Sequence, residues 1–416
     1  MSPTNHGDPS LAPARVSDDD LRYGFRSSVR SFVERVRGGD LGSLPVVAGL
    51  LIIWAIFQVL NPNFLSSQNL VNLTMQSAAV GTIAIGIVLV LLIGEIDLSV
   101  GSVSGLSAAI LAVFFVQHGW PLPIVLLVAI AAAAVIGLLY GLLYTKFGVP
   151  SFVITLAGLL AILGLQLWVL GRFGSINIPY DSWISEFGTQ MFLPAWLSYV
   201  VIALVVAAYA WQLLAQARRR TDAGLESMSL TVIGTRVGAL LVVLGITAWY
   251  LNLSRGVGVM FLFFLVLVTL MHFVLTRTRW GRSVYAVGGS VEAARRAGIR
   301  VNRIYISVFV MTAVFAAIGG ILAAARLGSA NQSSGGSDTN LNAIAAAVIG
   351  GTSLFGGRGS AFSALLGVLV IVSISTGLAI LNLDSPIRYM ITGAVLVLAV
   401  IVDSLSRRSR AAAGRA

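Results

Sequence analysis

Residues 78–117 read AAVGTIAIGIVLVLLIGEIDLSVGSVSGLSAAILAVFFVQ. A small-residue apolar run from Ala78 to Ile93 meets Gly94-Glu95-Ile96-Asp97-Leu98-Ser99-Val100-Gly101-Ser102, and a second apolar run follows at once. Each run is close to the length that a helix needs to cross hydrocarbon. Comparable runs fall near 44–60, 78–94, 100–117, 122–145, 152–170, 195–215, 237–253, 257–276, 304–325, 341–353, 360–381 and 387–403. The run at 341–353 is short and ends in glycines, which reads as a half-helix. The chain has 416 residues, 57% of them hydrophobic and only 10% charged, and a mean hydropathy of +0.92. Soluble domains carry about 25% charged residues, so a soluble enzyme is excluded. The expected fold class is an all-α polytopic membrane protein of about twelve transmembrane segments, with 44 glycines suited to close helix packing in lipid.

Charge sets the expected topology. Of 27 basic residues all but Lys146 are arginines, and they sit in gaps between apolar runs rather than on a basic and aromatic face, which argues against nucleic acid. With the N-terminus inside and alternating spans, 23 of the 27 fall on the inner side. Only Arg172, Arg255, Arg326 and Arg388 fall outside. The positive-inside rule therefore predicts both termini in the cytoplasm. The expected organisation is a largely disordered, charged cytoplasmic tail at 1–43, a transmembrane domain at 44–403 containing a cytoplasmic loop at 277–303, and a basic cytoplasmic tail at 404–416. No apolar segment near the start reads as a cleavable signal peptide.

A pattern recurs along the chain. Asn342 to Gly351 runs into Thr352-Ser353-Leu354-Phe355-Gly356-Gly357-Arg358-Gly359-Ser360 and another apolar run, as Ala78 to Ile93 did earlier. Each reads as a hairpin turning on glycine and serine, one in each of two related halves, an arrangement common in transporters.

Few residues carry chemistry. There is no cysteine, and His6, His118 and His272 are far apart, so a metal cluster has no support. The sole lysine is followed by Phe147, so no phosphate-binding P-loop exists in this chain. Glu95 and Asp97 are the only acids between Asp40 and Asp181. A carboxylate at membrane depth needs a partner or water. Either it lines a translocation path, where carboxylates and hydroxyls suit a sugar, or Asp97 or Ser99 caps the following helix. In the loop Arg277 to Arg303, Ser290 is a candidate N-cap for a short helix Glu292-Ala-Ala-Arg-Arg-Ala that stops at Gly298. Such an amphipathic cytoplasmic helix suits a partner's groove; a solvated basic loop is the plainer reading.

Three motifs resemble permeases of ribose- and xylose-type ABC sugar importers: Glu95 to Ser102, Val149-Pro150-Ser151-Phe152-Val153-Ile154-Thr155-Leu156-Ala157-Gly158, and Val348-Ile349-Gly350-Gly351-Thr352-Ser353-Leu354. The loop from Gly281 to Ile299 is similar to that family's coupling segment, and the resemblance spans roughly 45–405. Xylose permeases resemble it most, since residues 195–253 around Arg218-Arg219-Arg220 fill the place of an additional pair of spans. Ser290 stands where the family usually has asparagine, and the N-terminal tail is longer and more charged than the family's.

The resemblance implies a permease subunit, not an enzyme, in the bacterial plasma membrane. Its partners would be a cytoplasmic ATPase holding ATP and magnesium, an extracytoplasmic sugar-binding protein and a second copy of the chain, with no cofactor bound by the chain itself. It implies ATPase coupling through Gly281, Arg282, Gly288, Gly289, Glu292, Ala293, Ala294 and Gly298. Candidates for the substrate path are Glu95, Asp97, Ser99, Thr155, Thr352 and Ser353. The alternative is a proton-coupled or facilitative sugar transporter acting without an ATPase.

Overall fold

The structure, a computed structural model, describes residues 22–23, 44–225, 227–384, 386–387, 390–391, 393–394, 397 and 401. The chain divides into two compact units: Leu41–Pro194 with Tyr250–Ala416, and Met1–Asp40 with Ala195–Trp249. Among the described residues, nine helices are long and apolar enough to cross a membrane. The segment predicted at 387–403 falls largely outside the described residues.

The larger unit begins with α1 (Leu44–Leu60) and α2 (Ser67–Leu92). Then come α3 (Val100–Ala112), continued by a π-helical turn at Val113–Gln117, α4 (Leu122–Phe147) and α5 (Ser151–Leu170). A strand, β2 (Ser175–Asn177), and a short helix, α6 (Trp183–Thr189), close its first part. After the smaller unit the chain resumes with α9 (Val259–Arg277), α10 (Arg279–Gly289), α11 (Val291–Arg296) and α12 (Val301–Leu327). β4 (Ser329–Asn331), α13 (Ser337–Ile349) and α14 (Ala361–Ile380) follow. The smaller unit holds α7 (Ala195–Asp222) and most of α8 (Leu230–Asn252). There, β3 (Ser227–Met228) pairs in parallel with β1 (Arg22–Tyr23). Those two residues are the part of the predicted 1–43 tail that the structure describes.

Local chemistry explains the helix ends. Ser66 accepts a hydrogen bond from the Asn69 N–H and opens α2 well before residue 78, where the apolar run starts. The polar first turn, Ser67 to Asn69, is invisible to hydropathy but is capped. Gly148 and Gly328 end α4 and α12 in left-handed conformation. At about 1.5 Å per residue, the 13 residues of α13 reach about 20 Å, short of the roughly 30 Å of hydrocarbon.

The core is built around α2, α3 and α12. Every residue of α3 is buried, and α12 packs along α2, α3 and α4. Small residues set these separations. A Cβ on Gly320 would lie 2.0 Å from the Ser104 carbonyl oxygen, and one on Gly86 would lie 2.8 Å from that of Thr312. The Thr312 hydroxyl donates to the Gly86 carbonyl at 3.0 Å, tying α12 to α2. In α4 the buried positions Val125, Ala129, Ala133, Gly137 and Gly141 repeat every four residues, one stripe laid against α12. A second apolar cluster joins α1 to α14 through Leu50, Phe57, Val370, Ile374 and Leu378, with the Trp54 indole N–H donating to the Ser373 hydroxyl. Antiparallel pairing of β2 with β4 sets Ile176 opposite Ala330 and ties the far end of α5 to that of α12. No alternating pattern announced these three-residue strands.

Overpacking a tight helix crossing costs about 1–3 kcal/mol or more. Gly320→Val should therefore lower the melting temperature in detergent clearly. Gly245→Val, at a position where an added Cβ would meet nothing within 4 Å beyond its own helix backbone, should leave it unchanged. Tryptophan-fluorescence melts of the two variants check this.

Candidate functional site

The turn between α2 and α3 holds three of the sequence-predicted residues. Asp97 is 1% exposed, and its Oδ1 accepts from the Ser99 N–H at 2.8 Å and the Ser99 hydroxyl at 2.7 Å. Ser99 is the N-cap residue of α3 but makes no side-chain capping bond. The carboxylate, two residues earlier, thus shapes the entry to the helix. Burial pushes the Asp97 carboxyl up from its ordinary value, while the two Ser99 hydrogen bonds pull it down.

Two further helices pin this turn. The Ser151 hydroxyl of α5 accepts from the Ile96 N–H at 3.4 Å. Thr155 donates to the Ser151 carbonyl at 2.9 Å and lies 3.4 Å from that of Ile96. From α13, the Asn340 amide donates to the Leu98 carbonyl at 2.7 Å. Thr155 therefore belongs to the frame around Asp97.

The second predicted hairpin, α13 to α14, turns over residues 350–360. Thr352 and Ser353 are buried there. Ser353 N–H donates to the Arg358 carbonyl at 2.9 Å, and its hydroxyl accepts from Phe355 N–H at 3.2 Å. The Thr352 hydroxyl has no partner, and its methyl and hydroxyl close against Gly359.

Both turns lie against α10. Gly357 N–H donates to the Leu92 carbonyl at 2.9 Å. The Tyr285 hydroxyl donates to the Gly359 carbonyl at 2.8 Å, and burial raises the phenol's pKa, which keeps it a donor. The Trp280 indole N–H donates to the Ser307 hydroxyl at 2.8 Å, fixing α10 to α12.

α10 was not expected from the sequence, because Gly281, Gly288 and Gly289 disguise it. Its signal was the spacing of Trp280, Val284 and Val287, which form the inward face. Thr278 caps it by accepting from Gly281 N–H, and Ser290 caps α11 by accepting from Ala293 N–H.

The coupling candidates separate into two sets. Arg282, Gly289, Glu292, Ala293 and Gly298 are exposed, and they share the outer surface of α10–α11 with Ala286 and Ala297, which sequence reasoning missed. Gly281 and Ala294 are buried, Ala294 at 3%. Gly288 faces the turns. On the outer surface Glu292 pairs with Arg295 at 3.8 Å and Arg296 at 3.4 Å, both exposed pairs of small energetic weight.

Glu95 stands apart from Asp97. It lines a cavity of about 480 Å³ with Tyr144, Ser151, Arg295, Asn302 and Tyr305. Its Oε1 accepts from the Tyr144 hydroxyl at 2.5 Å, and the Tyr144 and Tyr305 rings lie 4.6 Å apart. One carboxylate, one guanidinium, two phenols and an amide share this lining with the apolar Pro150, Phe152, Val291 and Val301, and the two formal charges balance. Among the described residues no group of His, Asp and Glu could hold a metal ion.

A family model described as branched-chain amino acid transport system / permease component matches residues 69–400. The chain is 37% identical over 366 residues to the xylose transport system permease protein XylH of Escherichia coli, covering 87% of this chain and 92% of that one. It is 34% identical to the Haemophilus influenzae protein of the same name, covering 87% and 96%. It is 32% identical to the ribose import permease protein RbsC of Bacillus subtilis, covering 88% and 94%. No solved structure matches the chain significantly.

The raised Asp97 carboxyl has a stability consequence. A folded-state value above the unfolded one, about 3.8, gives stability that is full below that value and lost as pH rises through the folded value. The melting temperature of Asp97→Asn minus that of the unaltered chain should therefore rise between pH 4 and pH 7, by a few degrees. A flat difference would show that Asp97 does not titrate in that window.

Proposed function

We propose that this chain, which belongs to the branched-chain amino acid transport system / permease component family, is the membrane-spanning permease subunit of an ATP-binding-cassette importer. It carries a monosaccharide, D-xylose foremost, inward across the plasma membrane. The observation that carries this reading is 37% identity to a xylose permease along nearly the full length of both chains. The lack of a P-loop supports it from the other side, because hydrolysis must then occur in another subunit.

The α10–α11 end is the cytoplasmic end. The positive-inside count supports this, as does the richness of residues 277–303 in arginine. An ATPase subunit docks on the outer surface of α10 and α11, where Gly289, Ala286, Ala293 and Ala297 leave a low-relief patch edged by Arg282 and Glu292. A sugar-binding protein delivers at the opposite end, and two copies of the chain form the path. ATP can drive the permease only if the ATPase binds its inward- and outward-facing states with different affinity. The chain performs no chemistry on the sugar; it binds, moves and releases it.

Labelled xylose uptake into proteoliposomes tests the reading. Uptake is expected when the chain is combined with its ATPase, its binding protein and ATP on the cytoplasmic face. Uptake by the chain alone under a proton gradient would replace this reading with a self-sufficient carrier. The docking surface has a separate test. Glu292→Arg with Ala293→Arg should abolish co-purification with the ATPase and leave melting temperature and insertion unchanged. Ala294 is unsuitable for such a test, because an arginine at that buried position would displace α11 itself.

A further inference from the structure

The outer surface of α10–α11 is enough for docking, yet the inner face of α10 is built for something more. At Gly288, α10 meets both hairpin turns backbone to backbone. A Cβ on Gly288 would lie 1.7 Å from the Leu92 carbonyl oxygen and 2.7 Å from the Gly357 nitrogen. A Cβ on Gly356 would lie 2.7 Å from the Gly288 carbonyl oxygen and 3.0 Å from the Gly94 nitrogen. Gly356 and Gly357 have φ of +84° and +73°, a region that L side chains rarely adopt. The Gly357 to Leu92 hydrogen bond joins the two turns to each other, and Tyr285 joins α10 to the second.

Most helix contacts pass through side chains, which can change rotamer and let one element slide over another. Here no side chain intervenes, so neither turn can shift against α10 without breaking backbone contact or a hydrogen bond. The first turn ends α2 and begins α3; the second joins α13 to α14. We propose that Gly288 and Tyr285 are positioning residues that join α10 to both hairpins as one rigid body. A displacement delivered to α10–α11 then reaches α2–α3 and α13–α14 together. This inference rests on the ATPase-coupled reading and adds where the stroke enters the membrane domain.

The test uses the full complex in proteoliposomes and reads xylose taken up per ATP hydrolysed. Gly288→Ala should leave ATPase co-purification and hydrolysis in place while lowering that ratio about tenfold or more. Tyr285→Phe should lower it by a smaller factor. Gly164→Ala, on α5 and outside the docking surface, with a Cβ that would meet nothing within 4 Å, should leave it unchanged. A purely structural role would reduce the amount of complex but not the ratio. An unchanged ratio in Gly288→Ala overturns the inference. If the unaltered chain fails to co-purify with an ATPase, it is the underlying importer reading that fails.

Should Gly288→Ala fail to fold, spin labels on the otherwise cysteine-free chain keep the question open to measurement. Labels at Arg279→Cys and Phe355→Cys, both exposed positions, with labelled chain diluted into unlabelled, report α10 against the second turn. The distance distribution should be the same with and without ATP in a complex that is hydrolysing it. A displaced distribution would mean that the elements move separately and would overturn the inference.

Discussion

A single hydrogen bond, from Gly357 N–H to the Leu92 carbonyl at 2.9 Å, depends on a condition the rest of this end must meet: no side chain can stand between the three backbones. Gly94, Gly288, Gly356 and Gly357 satisfy it together. Remove the condition and the two hairpin turns separate from α10. The order at the α10–α11 end follows from that, including the orientation of Tyr285 toward Gly359 and of Val284 and Val287 toward the core.

The same logic operates deeper in the larger unit at lower intensity. Between helices that are apolar on every face, hydrophobicity cannot select partners, because lipid is as apolar as leucine. Shape and a few hydrogen bonds select them instead. Gly320 on Ser104, Gly137 on Phe309 and Gly141 on Ile306 bring α12 close to α3 and α4. Buried hydroxyls and amides, such as Thr312 on Gly86 and Gln166 on the Ser334 carbonyl, add direction to that proximity. α3, the most enclosed element, is short and rich in glycine and serine for this reason.

Much of this was legible in the sequence, and the misses share a cause. The apolar runs coincide with helices because hydropathy over about 20 residues reports a local need of the chain in lipid. Helix starts were misplaced where the first turn is polar, as at Ser67 to Asn69. α10 was missed because glycine weighs against helix in isolation, and here glycine is required by what the helix touches. Glu95 and Asp97, two residues apart, looked alike as acids at the end of an apolar run. Asp97 is closed in by Ser99, and Glu95 opens onto a cavity beside Tyr144.

The residues by themselves determined the class of protein, the positions of most long apolar helices, the lack of a P-loop motif, and the motifs that place the chain in its family. These are properties of composition and of short windows, and each residue carries its share wherever the chain goes. Only the tertiary structure decided that Gly288 looks inward and Gly289 outward, that Tyr144 meets Glu95 across 49 positions, and that β2 pairs with β4. Those facts depend on which faces of distant helices come into contact, and contact in a close-packed interior is settled by shapes that meet, not by the character of any one segment.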